Sequence, residues 1–381
     1  MRLPRLHISA LFPIYLVAIF GLFIKVPSAF AASANPALRE AKQEAESKGY
    51  IFLNTHDDIV SKAKKEGKLR VITGVEPAVI KATTEVFRKK YPFLDVAIEP
   101  IRGTEQGQRN LLEVKSGAAR DWDIVRTFTD FYSEYLPHLW KVDILGMAEH
   151  GVLAIPPKMI DPGNRNVLAV LSRSQVTAYN KNLVSPNQVP KTWEDILKPE
   201  FKGKKFAVDI RPQEIAALVP AWGLEKTVDF ARKVAAQQPI WVRGGSRTLA
   251  AMVAGEVALF IGPNYDSVKE TQRKDRTGAI QFTIVEPVPV RGSSEQAILA
   301  TSRNPHAALL WLEYIASPEA QKLIDEHEPL GASIYVKGSA AERELRGKKL
   351  SVVSWEHHQS MEQWMVKIVE AYGFPRAETK K

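Results

Sequence analysis

Short apolar runs alternate with amphipathic stretches along most of this chain. Leu69–Thr73 is a mostly apolar run that predicts a buried strand, and the apolar positions over residues 77–91 fall on one helical face, which predicts a helix beginning at Pro77. The next elements are predicted as a strand over residues 95–98, a helix over residues 105–116 and a strand over residues 122–125. Strands and helices that alternate at this spacing predict a parallel sheet with right-handed crossovers.

A second α/β unit is predicted to follow residue 167. Val167–Leu171 and Val176–Tyr179 are extended segments that can carry the chain into another lobe, and proline alternates with β-branched residues over Ile284–Val290, which predicts an extended return. The fold class is therefore predicted as α/β, with two lobes that each contain a mainly parallel sheet flanked by helices and are joined by a hinge. The predicted divisions are an N-terminal helical extension (32–67), lobe 1 (68–170), lobe 2 (171–285), a return to lobe 1 with late helices (286–335) and a C-terminal helical segment (336–381).

Residues 1–31 show the three-part pattern of a secretory signal. Arg2 and Arg5 precede an apolar run from Ile8 to Ile24, and Ala29-Phe30-Ala31 places small residues two positions apart. We expect cleavage after Ala31 and export to the periplasm. The alternative is an uncleaved membrane anchor, because an apolar run of about this length nearly spans a bilayer.

Composition narrows the classes of protein that this chain can belong to. It has 381 residues, of which 45% are hydrophobic and 25% charged, as in ordinary globular proteins. It has no cysteine, which excludes disulfides, thiolate metal sites and a cysteine nucleophile. The net charge is +9, but the basic residues are scattered, and no basic run is interleaved with aromatic residues. We therefore expect no nucleic-acid partner.

Four short stretches resemble periplasmic solute-binding proteins of ABC importers, in the group that includes ferric-iron binders. They are Lys65–Leu69, Thr192–Leu197 continued by Pro199–Lys204, Ala254–Ala258 before a strand ending at Asn264-Tyr265, and Asn304–Ala308 with Ser317–Gln321. The resemblance implies a two-lobed, type II-like periplasmic binding protein whose cleft closes on a ligand by hinge motion. It also implies delivery to an ABC permease in the inner membrane, no cofactor, and Fe(III), an iron–anion complex or a small anion as the transported solute.

Tyr265 is the candidate that the resemblance supplies for a metal. It follows Gly262-Pro263-Asn264, matches the tyrosine that iron-binding relatives use, and offers a phenolate oxygen that suits Fe(III). Two departures weaken the match: Asp266 stands where relatives often carry a second tyrosine, and Glu76 lies where they often place a histidine. Glu76 or Glu105 could supply a carboxylate instead, so Tyr265 with Glu105 is one interpretation of the site.

Arginines near predicted strand ends and loops support the other interpretation, an anion site. Arg102, Arg126 and Arg211 each follow a predicted strand, where ligands of parallel sheets gather. Arg247 follows Ser246 in a loop that leads into a helix, whose N-terminal amides favour an anion. Guanidinium groups clamp carboxylates and phosphates with two hydrogen bonds, so we expect these side chains, with Asn264, to bind the solute.

An exported enzyme such as a hydrolase that uses the same cleft is the alternative function. The sequence contains no G-x-S-x-G motif, and no serine, histidine and aspartate set stands out at the predicted strand ends. We therefore expect a binding protein that carries out no reaction.

Overall fold

The structure is a computed structural model that describes residues 36–101, 103–203 and 205–374. The predicted signal segment, residues 1–31, and the predicted ligand residue Arg102 lie outside the described residues. Within the described ranges, no helix combines the length and the apolar character that crossing a bilayer requires.

Strands and helices alternate along most of the chain. The strands are β1 (Lys68–Thr73), β2 (Asp95–Pro100), β3 (Ile124–Arg126), β4 (Val167–Asn180), β5 (Ala207–Asp209), β6 (Ile240–Val242), β7 (Leu259–Asn264), β8 (Ile280–Thr283), β9 (Val288–Ile298) and β10 (Leu350–Val353). The α-helices are α1 (Pro36–Ser47), α2 (His56–Glu66), α3 (Pro77–Lys90), α4 (Gly103–Ser116), α5 (Tyr132–Tyr135), α6 (Ile144–Glu149), α7 (Gln213–Ala216), α8 (Val219–Trp222), α9 (Leu224–Ala236), α10 (Gly245–Val253), α11 (Tyr265–Lys274), α12 (Pro305–Ile315), α13 (Pro318–His327), α14 (Ala340–Glu344) and α15 (His358–Tyr372).

The strands form a mixed sheet that runs through two lobes. The strand order is β2-β1-β3-β9-β4-β7-β5-β6, with β10 on β9 and β8 on β4. In lobe 1, β1 pairs in parallel with β2 and β3, and in lobe 2, β5 pairs in parallel with β6 and β7. The predicted parallel units are therefore present. The antiparallel pairs come from β4 and β9, which make the sheet mixed.

Strands β4 and β9 belong to both lobes and connect them. The two extended segments predicted after residue 167 are one continuous strand, whose residues Val167–Ser174 pair with β9 and whose residues Gln175–Asn180 pair with β7 and β8. Strand β9 in turn begins beside β10 and ends beside β3 in lobe 1. Both strands pass through the connection between the lobes. The lobe boundaries at residues 170 and 285 therefore remain predictions from the sequence.

Each lobe has its own aromatic core. In lobe 1, Phe87 packs edge-on against Trp311, with ring centroids 5.2 Å apart. In lobe 2, Trp193 packs edge-on against Phe230 at 6.2 Å, and its indole N–H donates to the carbonyl of Pro287 over 3.0 Å. That hydrogen bond fastens the segment that leads into β9. Trp193 lies in a 3₁₀ helix that Thr192 caps at its N-terminus.

The C-terminal segment, predicted as helical, contains the strand β10 in addition to helices. Leu350–Val353 pairs in parallel with the first residues of β9. Its apolar and β-branched residues favour a strand at this position. The following helix, α15, packs on α9 and α7 of lobe 2 and buries Met361, Ile368 and Tyr372. Just before α15, the Trp355 ring lies 6.0 Å from that of Tyr132 in lobe 1.

Gln296 links three elements of lobe 1 through buried hydrogen bonds. Its side-chain amide on β9 donates to the Thr73 hydroxyl over 2.7 Å and accepts from the Trp311 indole over 3.2 Å. Gln296→Met would leave two buried polar groups unpaired, so we expect it to lower the free energy of unfolding by about 2–4 kcal/mol in urea denaturation. The matched control is Gln281→Met, whose amide hydrogen bond lies at the surface. Equal losses in both variants would contradict this account of Gln296.

Candidate functional site

A cleft of about 950 Å³ lies where the lobes meet at the connecting strands. Its walls include the residues just after β1, β3, β5 and β7, and its floor is formed by the middle of β4 and β9. The carboxyl ends of the parallel strands therefore meet here, as the topology of such sheets requires. Side chains of α15 form part of the lobe 2 wall.

Two arginines face each other on the floor of the cleft. Arg173 on β4 is the register partner of Arg291 on β9, and both line the cleft. Residues directly opposite in an antiparallel pair lie on the same face, and like charges in that position repel. Burial, and to a smaller extent the neighbouring Arg173, lower the pKa of the Arg291 guanidinium. The floor therefore concentrates positive charge in a place that is poorly hydrated.

Carboxylates near this pair compensate the charge without fully satisfying the guanidinium groups. Arg173 Nη1 lies 3.4 Å from Asp266 Oδ2 and 3.5 Å from Glu328 Oε2, and it has no hydrogen-bond partner among the described residues. Arg291 Nε is likewise buried without a hydrogen-bond partner there. The Glu328 carboxylate is held by the Glu76 amide, which donates to it over 2.8 Å. Buried donors left unpaired cost free energy, and a ligand with oxygen atoms would satisfy them.

Arg126, the last residue of β3, adds a third guanidinium at the lobe 1 wall. Its Nη1 donates to the Ile101 carbonyl over 3.0 Å, and its guanidinium carbon lies 4.2 Å from the centre of the Phe128 ring. Its Nε is buried without a hydrogen-bond partner among the described residues. A Cβ atom at Gly74 would lie 2.7 Å from the guanidinium carbon, which is too close for a stable contact. Only glycine at this position is therefore compatible with the observed position of Arg126.

Two carboxyl groups complete the electrostatics of the site. Glu295 on β9 is buried and accepts a hydrogen bond from the Thr129 hydroxyl over 3.3 Å. Glu214, in α7, lies against Gly262, where an added Cβ would meet the Glu214 Cβ at 2.6 Å. Burial raises the pKa of Glu214 to about 7, with Arg291 among the charges that oppose the rise. The net charge around Arg291 therefore changes near neutral pH.

Four of the residues predicted from the sequence line this cleft. They are Glu76, Arg126, Arg211 and Asn264. The Arg211 guanidinium is held by Asp209, with Nη2 2.9 Å from Oδ2. The Asn264 side-chain oxygen is buried and has no hydrogen-bond partner among the described residues.

Four others lie outside the cleft lining, which corrects the expectation that they share one site. Tyr265 begins α11, and this helical turn places its ring against Phe282, 5.0 Å away, while Asp266 lines the cleft. Burial raises the pKa of the Tyr265 phenol, which disfavours the phenolate. Ser246 lines a separate cavity of about 340 Å³, and Arg247 and Glu105 are exposed. These three residues follow β6 and β2, the two strands at the ends of the strand order.

The floor residues were not singled out from the sequence. Arg173 and Arg291 each interrupt an apolar segment, and Glu295 follows four residues after Arg291. A charged residue inside a segment expected to be buried is the signal that could have identified them, because burying a charge requires a partner or a function. No group of three or more histidine, aspartate or glutamate side chains in the described part of the chain is arranged to hold a metal ion.

Comparisons with known proteins agree with this architecture. Residues 153–360 match the sequence profile of bacterial extracellular solute-binding proteins. A protein of Serratia marcescens described as an Fe(3+)-binding periplasmic protein is 23% identical over 222 residues, which cover 55% of this chain and 63% of that protein. The chain thus aligns with less than two thirds of that relative's length.

Solved structures share the two-lobed fold. A Trichodesmium protein in complex with iron and citrate superposes with a TM-score of 0.63 at 20% identity, covering 81% of this chain and all (100%) of that one. The ferric iron-binding protein A of Mannheimia haemolytica, in an open conformation, gives a TM-score of 0.61 at 20% identity, covering 81% and 100% of the two chains. At this identity the likeness shows the fold.

The pKa of Glu214 predicts how anion binding in the cleft depends on pH. Protonation below about pH 7 removes a carboxylate that offsets Arg291. The affinity for sulfate, whose charge is constant in this range, should therefore rise about threefold to tenfold from pH 8 to pH 6 in calorimetric titrations. Glu214→Gln should remove most of this dependence. The same pH slope in both proteins would contradict the assignment.

Proposed function

This chain belongs to the bacterial extracellular solute-binding proteins, and from that membership we propose that it captures a small solute in the cleft between its lobes and delivers it to a membrane importer. The predicted signal segment, residues 1–31, supports export, and an ABC permease in the inner membrane is the proposed partner. The chain carries out no reaction in this proposal, and no feature of the cleft favours the hydrolase alternative. The proposal includes no nucleic-acid partner.

The proposed solute is an anion with several oxygen atoms. One observation carries this proposal: Arg126 and Arg291 each have a buried guanidinium N–H without a hydrogen-bond partner in the described part of the cleft, and Arg173 Nη1 has only long ion pairs, 3.4 Å to Asp266 and 3.5 Å to Glu328. Hydrogen bonds between guanidinium groups and carboxylate or phosphate oxygens are the strong, charge-assisted kind. A bound anion would also separate the facing charges of Arg173 and Arg291, which otherwise repel.

Iron fits the cleft best as part of an anionic complex. The Serratia relative is described as an Fe(3+)-binding protein, and hard carboxylate and phenolate oxygens suit such a cation. In this cleft, however, the carboxylates Asp266 and Glu295 stand beside arginines that repel a bare cation, and Tyr265 packs outside the lining. A negatively charged iron complex would instead use the same guanidinium groups as a free anion.

Capture is proposed to work by bending at β4 and β9. Lobe 1 contributes Arg126, lobe 2 contributes Asn264, and the floor arginines lie on the strands between them. A solute that sits on the floor contacts both lobes only when they approach each other, so binding favours the closed arrangement. Closure also removes water, which strengthens each charged hydrogen bond.

Removal of one floor guanidinium is the experiment that tests the proposed function. Phosphate and citrate should raise the Tm of the parent protein, and Arg291→Gln should weaken their binding about 10- to 100-fold, as expected for charge-assisted hydrogen bonds. Arg247→Gln is the matched control, because Arg247 is exposed and outside the cleft lining. Tyr265→Phe should bind these anions like the parent.

Two results would contradict the proposal. One is equal loss of anion binding in the Arg291 and Arg247 variants. The other is tight binding of Fe(III) without any anion that disappears in Tyr265→Phe. Product formation from a bound solute would favour the enzyme alternative instead.

Gly74 provides an independent test of the role of Arg126. Gly74→Ala places a methyl group in the space of the guanidinium, so Arg126 must move, and we expect anion affinity to fall about tenfold. In an Arg126→Gln background the same substitution should have little further effect, because the side chain that it displaces has already lost its charge. Additive losses in the double variant, measured by calorimetry, would show that Gly74 acts by another route.

A further inference from the structure

The C-terminal helix α15 places apolar side chains in a cleft whose floor is charged. Met365, Val366 and Val369 line the cleft, and Val366 is 48% exposed. Helix α15 is anchored through Ile368 and Tyr372, which are buried in the core of lobe 2, and through Met365, which packs partly against that core. The three apolar residues are therefore held in a fixed position that faces the solute space.

Other apolar residues of the cleft lie on both lobes. Ile210 and Pro212 follow β5 in lobe 2, and Phe128 lies beneath the Arg126 guanidinium in lobe 1. The cleft volume of about 950 Å³ is of the size that encloses an organic molecule and far exceeds that of an inorganic anion. An inorganic anion on the floor would leave this apolar surface in contact with water.

Charge sets the orientation that a two-part solute would take. Glu362 and Glu370 line the cleft on either side of the apolar residues of α15 and repel a negative group at that wall. The floor arginines attract it instead. The polar end of the solute therefore belongs on β4 and β9, and its apolar end on α15.

We propose that the solute is an organic anion with an apolar body, whose carboxylate or phosphonate head binds Arg173 and Arg291 and whose body packs on Met365, Val366 and Val369 of α15. This inference rests on the proposed function and makes it narrower. Helix α15 begins at His358, and the segment that matches the family ends at residue 360. Met365, Val366 and Val369 therefore all lie beyond that match.

Calorimetric titration with two homologous series tests the inference. The n-alkylphosphonates from methyl to hexyl and the n-alkanoates from acetate to hexanoate keep one head group and lengthen the apolar body. In the parent protein, affinity in the series that fits should rise about fourfold for each added methylene until the wall is covered. Val366→Asn should flatten this dependence, and Val366→Leu should preserve it. The matched control is Leu112→Asn, since Leu112 is an exposed apolar residue of α4 (60% exposed) outside the cleft lining.

The outcomes separate this inference from the function on which it rests. Chain-length dependence that Val366→Asn removes and Leu112→Asn retains supports it. Binding of phosphate, methylphosphonate or acetate with no gain from longer chains, or an equal gain in Val366→Asn, overturns it and leaves anion capture standing. If no member of either series and no inorganic anion binds the parent, both the inference and the proposed function fail.

Discussion

The placement of two like charges, Arg173 on β4 and Arg291 on β9, directly opposite each other is the constraint on which the rest of the site depends. Two largely buried guanidinium groups in direct register cost free energy unless negative charges balance them. The protein supplies part of that balance through Asp266, Glu328 and Glu295, which come from three different parts of the chain. The geometry of these carboxylates is loose, and donors remain unpaired. A site that is incompletely satisfied in this way is prepared to gain free energy from a bound anion.

The position of this pair also explains why binding and movement of the lobes should be coupled. Strands β4 and β9 are shared by the two halves of the sheet, so a solute on them sits at the axis about which the lobes can bend. Residues after β1 and β3 approach from one side, and residues after β5 and β7 from the other. The carboxyl ends of the parallel strands meet at the cleft because of the sheet topology. The connecting strands β4 and β9 contribute the positive charges of Arg173 and Arg291.

Much of the fold could be predicted from local sequence patterns, because these patterns reflect interactions between residues that are close in sequence. The helix at Pro77 and the strand over Leu69–Thr73 lie close to where they were predicted. Each depends on residues that are neighbours in sequence. The packing of α15 on α9 and the pairing of β10 with β9 join segments more than 50 residues apart, and no local pattern encodes such contacts.

Some of the residues predicted as ligands line the cleft and others do not, and their role in binding stays a prediction. Arg126 ends β3 and Glu76 follows β1, and both lie in the cleft lining at the carboxyl ends of these strands. Arg247 follows β6, at the end of the strand order, and lies outside the cleft lining. Arg173 and Arg291 lie inside strands, so a search of strand ends could not find them. A charged residue in the middle of a predicted connecting strand is the sequence signal that marks such positions, because burying a charge requires a partner or a function.

The crystal structure of the protein purified without unfolding from the cells that produce it, with whatever solute copurifies, is the most direct measurement of the central claim. We predict density for a bound anion whose oxygen atoms lie about 3 Å from the guanidinium nitrogens of Arg173 and Arg291. A solute bound elsewhere, such as a metal ion held by Tyr265 while both arginines keep only their carboxylate neighbours, would contradict the account.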